Sequence, residues 1–590
     1  MINLSYGSKR INVVENEDDL GSFANFVSRN RRSLAYDTET TGLGVYTPSF
    51  GVRLAQFGNS DESYVIPVEK GPRYVWYVRR TLEVLDEIVC HNATYDLSIA
   101  AQHFGCDLKS LYRKTVDTYI LAHLVDSRDQ KEGGTGHSLE ALTGAYISRK
   151  VADEVKASMK ELAKELKTTK SKVWSVVPVD HTTYNLYAGM DPILTYLLYK
   201  ILKPKIPAES ALLVHFEHEV ARICAEMEHR GYLVDVDYTE RLREEYLSDQ
   251  EECEAEARYL GVENINSTDQ VAEALIAQGV KLTEKTPSGR WKVDKGVLES
   301  LEEKGNSLAV VIQRAKRAGK WRSAYVDHFL DLRDENDRIH CGINSLKART
   351  ARMSITRPAL QTLPSSEAAI RKCFLAESGH LTASIDYKAQ ELRVLAALSG
   401  DEVMKRAFEE GADLHQITAD AAEVPRKVGK MANFLTVYGG GYKALALQAK
   451  IDQKTSKKVV DAFNFTYKGV DRFSKVVAKR AKGYGYVVTP TGRRLYVDKD
   501  RAYSATNYMV QSTSRDVTAS ALVMLDKAGL SEYLRLPVHD EIVASVPQDQ
   551  ADEIAHEIGR VMTQTLKGVE ISTDPEVGGR SWGSLYEGKE

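Results

Sequence analysis

Apolar and polar positions follow two different rhythms along this chain, and the change between them falls near Pro204 and Pro207. Before it, runs at 33–37, 51–58, 63–67 and 88–91 read as strands, with helices following from about Asp96, Asp117 and Asp180. That is an α/β pattern. After it, long charged helices begin with the run from Ser210 to Gly231, and strand-like runs return only near residue 339. The stretch between reads as a helical arm with one looser segment at 283–290. Further on, an apolar strand leads straight into Asp386 and then into a helix, while two short runs flank His539, Asp540 and Glu541, the pattern of a hairpin whose turn carries acids. Residues 131–136 and 439–441 read as flexible spots, and neither has the Gly-Lys-Ser/Thr of a P-loop.

Length changes this picture first. A chain of 590 residues is too long for one core, so two to four domains are expected. Apolar content of 43% and charged content of 27% are ordinary for a globular chain. No run approaches the roughly 20 uncharged apolar residues of a membrane span, and the first ten residues lack a signal peptide's apolar core. The expected location is the cytoplasm, away from membranes. Cys90, Cys106, Cys224, Cys253, Cys341 and Cys373 form no C-x-x-C pair and read as reduced, structural thiols. The net charge of −4 hides basic clusters: Arg314, Lys316, Arg317, Lys320 and Arg322 around Trp321, then Arg371 with Lys372, then Lys454, Lys457 and Lys458. Each alone reads equally well as a solvated helix face.

Candidate chemistry begins at Asp37 and Glu39, two apart at a strand end and so pointing the same way. Asn92 with Asp96, and Tyr187 with Asp191, are four apart and can each share a helical face. Converging carboxylates repel, and divalent metals are the usual remedy. Asp386 and Asp540, on neighbouring strand ends, suggest a second, two-metal phosphoryl-transfer site. Between them Arg426, Lys430, Phe434 and Tyr438 recur every four residues, each step about 40° beyond a full turn. Such a stripe, cationic at one end and aromatic at the other, suits a nucleotide; it is also how a core face with snorkelling ends looks.

The ordered set of D-x-E at 37–39, N-x-x-x-D at 92–96 and Y-x-x-x-D at 187–191 resembles the DEDDy type of 3′–5′ exonuclease. Residues 386–393 (DYKAQELR), the Arg426-to-Tyr438 stripe and 538–541 (VHDE) resemble, in order, motifs A, B and C of family A DNA polymerases. The segments 264–271, 491–496 and 581–583 match other parts of that family. The resemblance implies a multi-domain α/β protein: an RNase H-like 3′–5′ exonuclease domain over 1–205, then a right-hand polymerase with thumb 206–340, palm 341–400 and 500–590, and fingers 401–499. It implies template-directed extension of a primer with dNTPs, a proofreading exonuclease, and a role in DNA replication.

Carried over residue by residue, the resemblance makes Asp37, Glu39, Asp96 and Asp191 metal ligands, with Tyr187 orienting the attacking water. Asp386 and Asp540, with Tyr387 beside them, would hold the metals of the polymerase site, two Mg²⁺ per site with Mn²⁺ as the alternative, while Glu541 and His539 support the primer end. Arg426, Lys430 and His415 would hold the triphosphate, Lys430 also protonating the leaving group. Phe434 would stack on the incoming nucleotide, Tyr438 guard the template-base site, and Glu391 exclude a 2′-hydroxyl. Arg352, Asn507 and Gln511 would read the minor groove. The implied partners are primer–template DNA, dNTPs and replisome proteins such as a helicase and a single-strand-binding protein, the enzyme being a monomer. Leu435 in place of a small glycine, Pro537 in place of a glutamine, and Lys388 to Gln390 depart from the family's usual residues, Leu435 being expected beside the nascent pair. The exonuclease acids begin about 36 residues in and only 161 positions separate Asp191 from Arg352, so a phage-type enzyme without a 5′-nuclease domain, acting in a host's cytoplasm, is expected. A stand-alone exonuclease, a single-subunit RNA polymerase and a non-catalytic clamp fit these residues less well.

Overall fold

Seven short strands build the first sheet, in the order β1-β2-β5-β4-β3-β6-β7: β1 (Ile2–Tyr6), β2 (Lys9–Val13), β3 (Leu34–Thr40), β4 (Val52–Gly58), β5 (Glu62–Ile66), β6 (Ile88–Cys90) and β7 (Thr115–Asp117). The computed structural model describes residues 1–364, 367–438 and 440–587; Gly439, expected to be flexible, lies outside them. The opening hairpin β1–β2 went unread in the sequence, although Ile2, Leu4 and Tyr6 alternate with the exposed Asn3 and Ser5 and pack against the core. Helix α1 (Ala93–Phe104) starts three residues before Asp96, since Asn92 takes a left-handed φ of 64° and the Asp117 carboxylate accepts from the amides of Asn92 and Ala93, at 2.9 and 2.8 Å. Asp117 also caps α2 (Thr118–Val125), which begins one residue after it. Helix α3 (Thr182–Leu202) packs on β3, β4 and β5 through Tyr184, Ala188 and Ile193, and α4 (Ala211–Arg230) follows the proline pair.

The chain divides into two compact units, one of Met1–Arg230, Gly342–Ile355 and Ala383–Val577, the other of Gly231–Cys341, Thr356–Thr382 and Gly578–Glu590. The second unit corrects the sequence reading, which had strands returning only near 339. Tyr232–Val234 is already a strand, β8, too short for any alternation to register. It is followed by α5 (Val236–Tyr259), α6 (Ser307–Trp321), β9 (Arg338–Ile339) and β10 (Phe374–Leu375), with sheet order β10-β8-β9. Trp582 is buried against Tyr232 and Phe374, ring centroids 6.2 and 6.0 Å away. Arg371 lies 5.4 Å over that indole and donates to the carbonyls of Leu363 and Pro364, so it is a buried framework residue. Arg314 is likewise engaged, 2.6 Å from Asp249.

The rest of the first unit follows in chain order: β11 (His380–Tyr387), α7 (Gln390–Ser399), α8 (Leu414–Ala422), α9 (Arg426–Val437), α10 (Gln453–Thr466), α11 (Lys468–Tyr484), β12 (Tyr486–Val488), β13 (Arg494–Tyr496), α12 (Ala505–Lys527), β14 (Leu534–Val538), β15 (Glu541–Pro547), α13 (Ala551–Met562) and β16 (Thr573–Val577). The four-stranded sheet has the order β14-β15-β11-β16. Pro537 sits in edge strand β14, where its missing N–H costs no ladder bond on the open side. Among the described residues no helix is long and apolar enough to cross a membrane.

Candidate active sites

Strand β3 presents the first acid cluster. Alternation sends Asp37 and Glu39 to one side, and ligand oxygens of Asp37, Glu39 and Asp191 lie within 4.8 Å of one another. Asp191 arrives from the middle of α3, one turn after Tyr187. Asp96 is close enough to act on the others but is not in that triplet: its Oδ1 accepts a 2.6 Å bond from Thr38 Oγ1, the residue between the two strand acids. Burial pushes all four carboxyls up and their mutual repulsion pushes them further, Asp191 to about 7. Asp191 and burial hold the Tyr187 hydroxyl well above its usual range, so it stays a donor. A divalent cation would relieve this repulsion, and the oxygen-only donor set suits Mg²⁺ or Mn²⁺.

The second cluster is assembled from β11 and the two-residue turn between β14 and β15. Asp386 ends β11, next to β15 in the sheet, and the Tyr387 amide donates to the Asp540 carbonyl at 3.2 Å. His539 takes φ 58°, the turn conformation that brings Asp540 round to β11. The Asp386 carboxyl keeps an open face to solvent, yet lost hydration, then Asp540 and Glu541, push it up to about 7. Asp540 is also raised, by burial first. Ser384 Oγ holds Glu541 at 2.6 Å. The sequence reading missed Asp574: it pairs with Asp386 across β16, adds to its upward shift, and is met by Lys388 at 3.4 Å. Lys388 thus supplies a positive charge that offsets this third nearby acid. Tyr387 turns its side chain inward, donating to the Met562 carbonyl at 2.7 Å.

Beside Asp540 opens a cleft of about 360 Å³ lined by Arg352, Glu391, Phe434, Tyr438, Gln511 and His539 among others. Glu391 is gripped from both sides, by Arg352 at 2.5 Å and by the Tyr438 hydroxyl at 2.7 Å. Gly429 lets α9 approach α8, since a Cβ there would lie 2.4 Å from the His415 carbonyl. His415 is held by Asn433 at 3.0 Å and packs 5.6 Å from Phe434. Arg426 is paired with Asp413 at 2.5 Å, and Lys430 is exposed. Leu435 is half-buried and packs with Ala422, Val428, Leu445 and Val459 on the flank of α9 next to Phe434. A helix step of one residue, about 100°, separates it from Phe434.

Asn507 and Gln511 lie on α12, which is anchored by a buried quartet the sequence did not reveal. Arg515 on α12 holds Glu217 of α4 with two bonds of 2.6 and 2.7 Å, and Arg493 joins Glu217 to Asp516, 2.7 Å from the latter. All four side chains are at most 2% exposed. Gly492, at φ 89°, brings Arg493 in: a Cβ there would lie 1.9 Å from the Glu209 carbonyl oxygen. The segment carrying Arg352 is pinned to α2 by Tyr119 donating to the Leu346 carbonyl at 2.8 Å and His123 to that of Ala348 at 3.0 Å.

These two acid clusters define the class. The profile of DNA polymerase family A matches residues 236–584, and that of a 3′–5′ exonuclease matches residues 11–207. The chain belongs to DNA polymerase family A, with a 3′–5′ exonuclease domain preceding the polymerase domain, and both activities are metal-dependent. It is 52% identical over 577 residues to the DNA polymerase of Mycobacterium phage L5, covering 98% of this chain and 97% of that one, and 49% identical over 592 residues to that of Mycobacterium phage D29, with the same coverage. Its fold matches the POL domain of Pol1 from M. smegmatis, in a structure complexed with DNA primer-template and dNTP, at TM-score 0.75 and 23% identity over 98% of this chain and all of that one.

Proposed function

We propose that this DNA polymerase extends primers at Asp386 and Asp540 and proofreads at Asp37, Glu39, Asp96 and Asp191, with residues 1–205 as exonuclease, 206–340 as thumb, 341–400 and 500–590 as palm and 401–499 as fingers. The observation that carries this is the pair of separate carboxylate clusters, each raised by its own crowding, one beside the Glu391–Phe434 cleft. Two Mg²⁺ at each cluster would lower the pKa of the attacking oxygen and neutralise the leaving charge. At the first cluster Tyr187 donates a hydrogen bond that orients the attacking water. At the second, Glu541 and His539 support the primer end and Tyr387 backs Asp386.

Arg426 and Lys430 bind the triphosphate with His415, Arg426 exchanging Asp413 for phosphate, and Lys430 protonates the departing pyrophosphate. Phe434 stacks under the incoming base. Glu391, fixed by Arg352 and Tyr438, occupies the space a 2′-hydroxyl would need, and Asn507 and Gln511 meet the minor-groove acceptors shared by all correct pairs. We further assign the protein to replication in a phage-type setting, as a monomer in the host cytoplasm working beside a helicase and a single-strand-binding protein; the half-identical phage relatives support this.

Primer extension with dNTPs, with rNTPs and without nucleotide tests the reading on two variants. Asp386→Asn should abolish extension, a loss of several kcal/mol or at least about 10³-fold, while digestion without nucleotide continues. Asp191→Ala should do the reverse. If either variant lost both activities while keeping its fold, the separation of sites would be wrong.

A further inference from the structure

Residues 441–484 carry eleven Lys and Arg against three Asp, a net charge of +8 inside a chain whose total is −4. The excess is concentrated on one line. Helix α11 buries Val470, Val477 and Ala481 and packs that face on α7 and α12, the helices that carry Glu391 and Gln511. On the opposite face Lys468, Arg472, Lys475, Lys479 and Lys482 follow at spacings of four, three, four and three, within an arc of about 80° and over about 21 Å. All five are exposed. Lys475 has Asp471 at 2.6 Å; among the described residues no carboxylate pairs with the other four. Lys454 and Lys457 extend the charge onto α10.

Both ends of the line carry an aromatic ring open to solvent. Phe465 is 75% exposed with Lys468 4.8 Å from its ring, and Tyr484 is 70% exposed with Arg480 at 5.7 Å. A solvated helix face usually mixes signs, because i,i+4 pairs of opposite charge stabilise it and like charges repel. Repeated cations at steps of roughly 4.5–6 Å, close to the separation of successive phosphates, fit an extended polyanion. Unstacked bases give the two rings partners that a closed duplex does not.

We propose that the outer face of α11, with Phe465 and Tyr484, binds single-stranded DNA, namely the unpaired template strand ahead of the polymerase cleft. This rests on the chain being a template-dependent polymerase but on none of the residue assignments at the metal clusters.

The test uses the full chain and primer–templates with a phosphorothioate 3′ end, differing only in a 5′ template overhang of about two or about a dozen nucleotides. Affinity is read by fluorescence anisotropy across a salt series, without nucleotide. The parent should bind the long overhang about tenfold more tightly, and the variant Lys468→Gln/Arg472→Gln/Lys479→Gln/Lys482→Gln should erase that gain, lowering the long-overhang salt slope by about 3 and leaving the short one unchanged. The matching arginine variant (K468R/K479R/K482R) should keep the gain, which guards against a folding defect. Phe465→Ala/Tyr484→Ala should weaken the long overhang with little change in slope. The proposal is overturned if the parent binds both overhangs equally, if the glutamine variant keeps the difference or loses equally on both, or if a duplex ahead of the primer binds the stripe better than the single strand. Failure of extension itself, with this binding intact, would count against the functional reading alone.

Discussion

Replacing Glu217 by Gln removes one charge from a closed quartet while keeping its shape. In the parent, Glu217 and Asp516 balance Arg493 and Arg515, and none of the four is more than 2% exposed. The amide leaves two guanidiniums facing one carboxylate, with the 2.6 and 2.7 Å fork from Arg515 gone. A unit pair about 4 Å apart at an effective dielectric near 20 is worth roughly 4 kcal/mol, and removing one partner of a buried pair costs about 3–5 kcal/mol. We therefore expect a loss of about 4 kcal/mol, or a Tm lowered by roughly 8–15 °C. Thermal melting by near-ultraviolet circular dichroism, with urea titration alongside, measures it. The double variant E217Q/R515M restores the charge balance and should recover about half of the loss, a coupling expected for touching groups. A Tm drop under about 3 °C, or a double variant losing the sum of the singles, would refute a coupled quartet. The pH dependence has a definite sign. Burial pushes the Glu217 carboxyl up, but Arg515 and Arg493 outweigh it and hold it below its usual value. Its contribution is thus full above the ordinary glutamate pKa and is lost as pH falls through the lower folded value, so parent and E217Q should converge in acid.

Gly492→Ala should cost about 2 kcal/mol or more, since φ 89° is strained for a side chain and the added carbon meets the Glu209 carbonyl at 1.9 Å; a melting temperature equal to the parent's would show the loop yields freely. Phe434→Tyr should relax the enzyme's discrimination against dideoxynucleotides, read as chain-terminator incorporation on a defined template; no change would remove Phe434 from the sugar's surroundings. Leu435→Gly should leave misincorporation within about twofold while lowering stability by about 1 kcal/mol or more, because the side chain packs with Ala422, Val428 and Leu445 on the flank of α9 and glycine weakens a helix. A clear change in error rate, measured with proofreading silenced in both proteins, would place Leu435 beside the nascent pair after all.

The spacing of Asp37 with Glu39, of Tyr187 with Asp191, and of the Arg426–Tyr438 stripe was readable because one element carries each set, and helix and strand periods translate spacing into direction. Pairings between distant segments were not. Asp574 reaches Asp386 only through the register of β16 on β11, and nothing local at 574 marks it as facing an acid. Glu217 looked like one more charge on a charged helix, although it is wholly buried. Leu435 shows how one step along a helix changes surroundings: Phe434 lines the cleft while its neighbour packs with Ala422 and Leu445. Strand β8 was lost because three residues cannot display an alternation, whereas β1 displays one, Ile2-Leu4-Tyr6 against Asn3 and Ser5, over only five residues.

The Asp386–Asp540 pair has a consequence for how the enzyme comes into being on the ribosome. All four acids of the first cluster have been synthesised by Asp191, but β11 must wait for the β14–β15 turn, and 349 positions separate Asp191 from Asp540. At roughly 5–20 residues per second, about 20–70 s separate the synthesis of the last acid of the first cluster from that of Asp540, so every acid of the first cluster exists well before the second cluster can close.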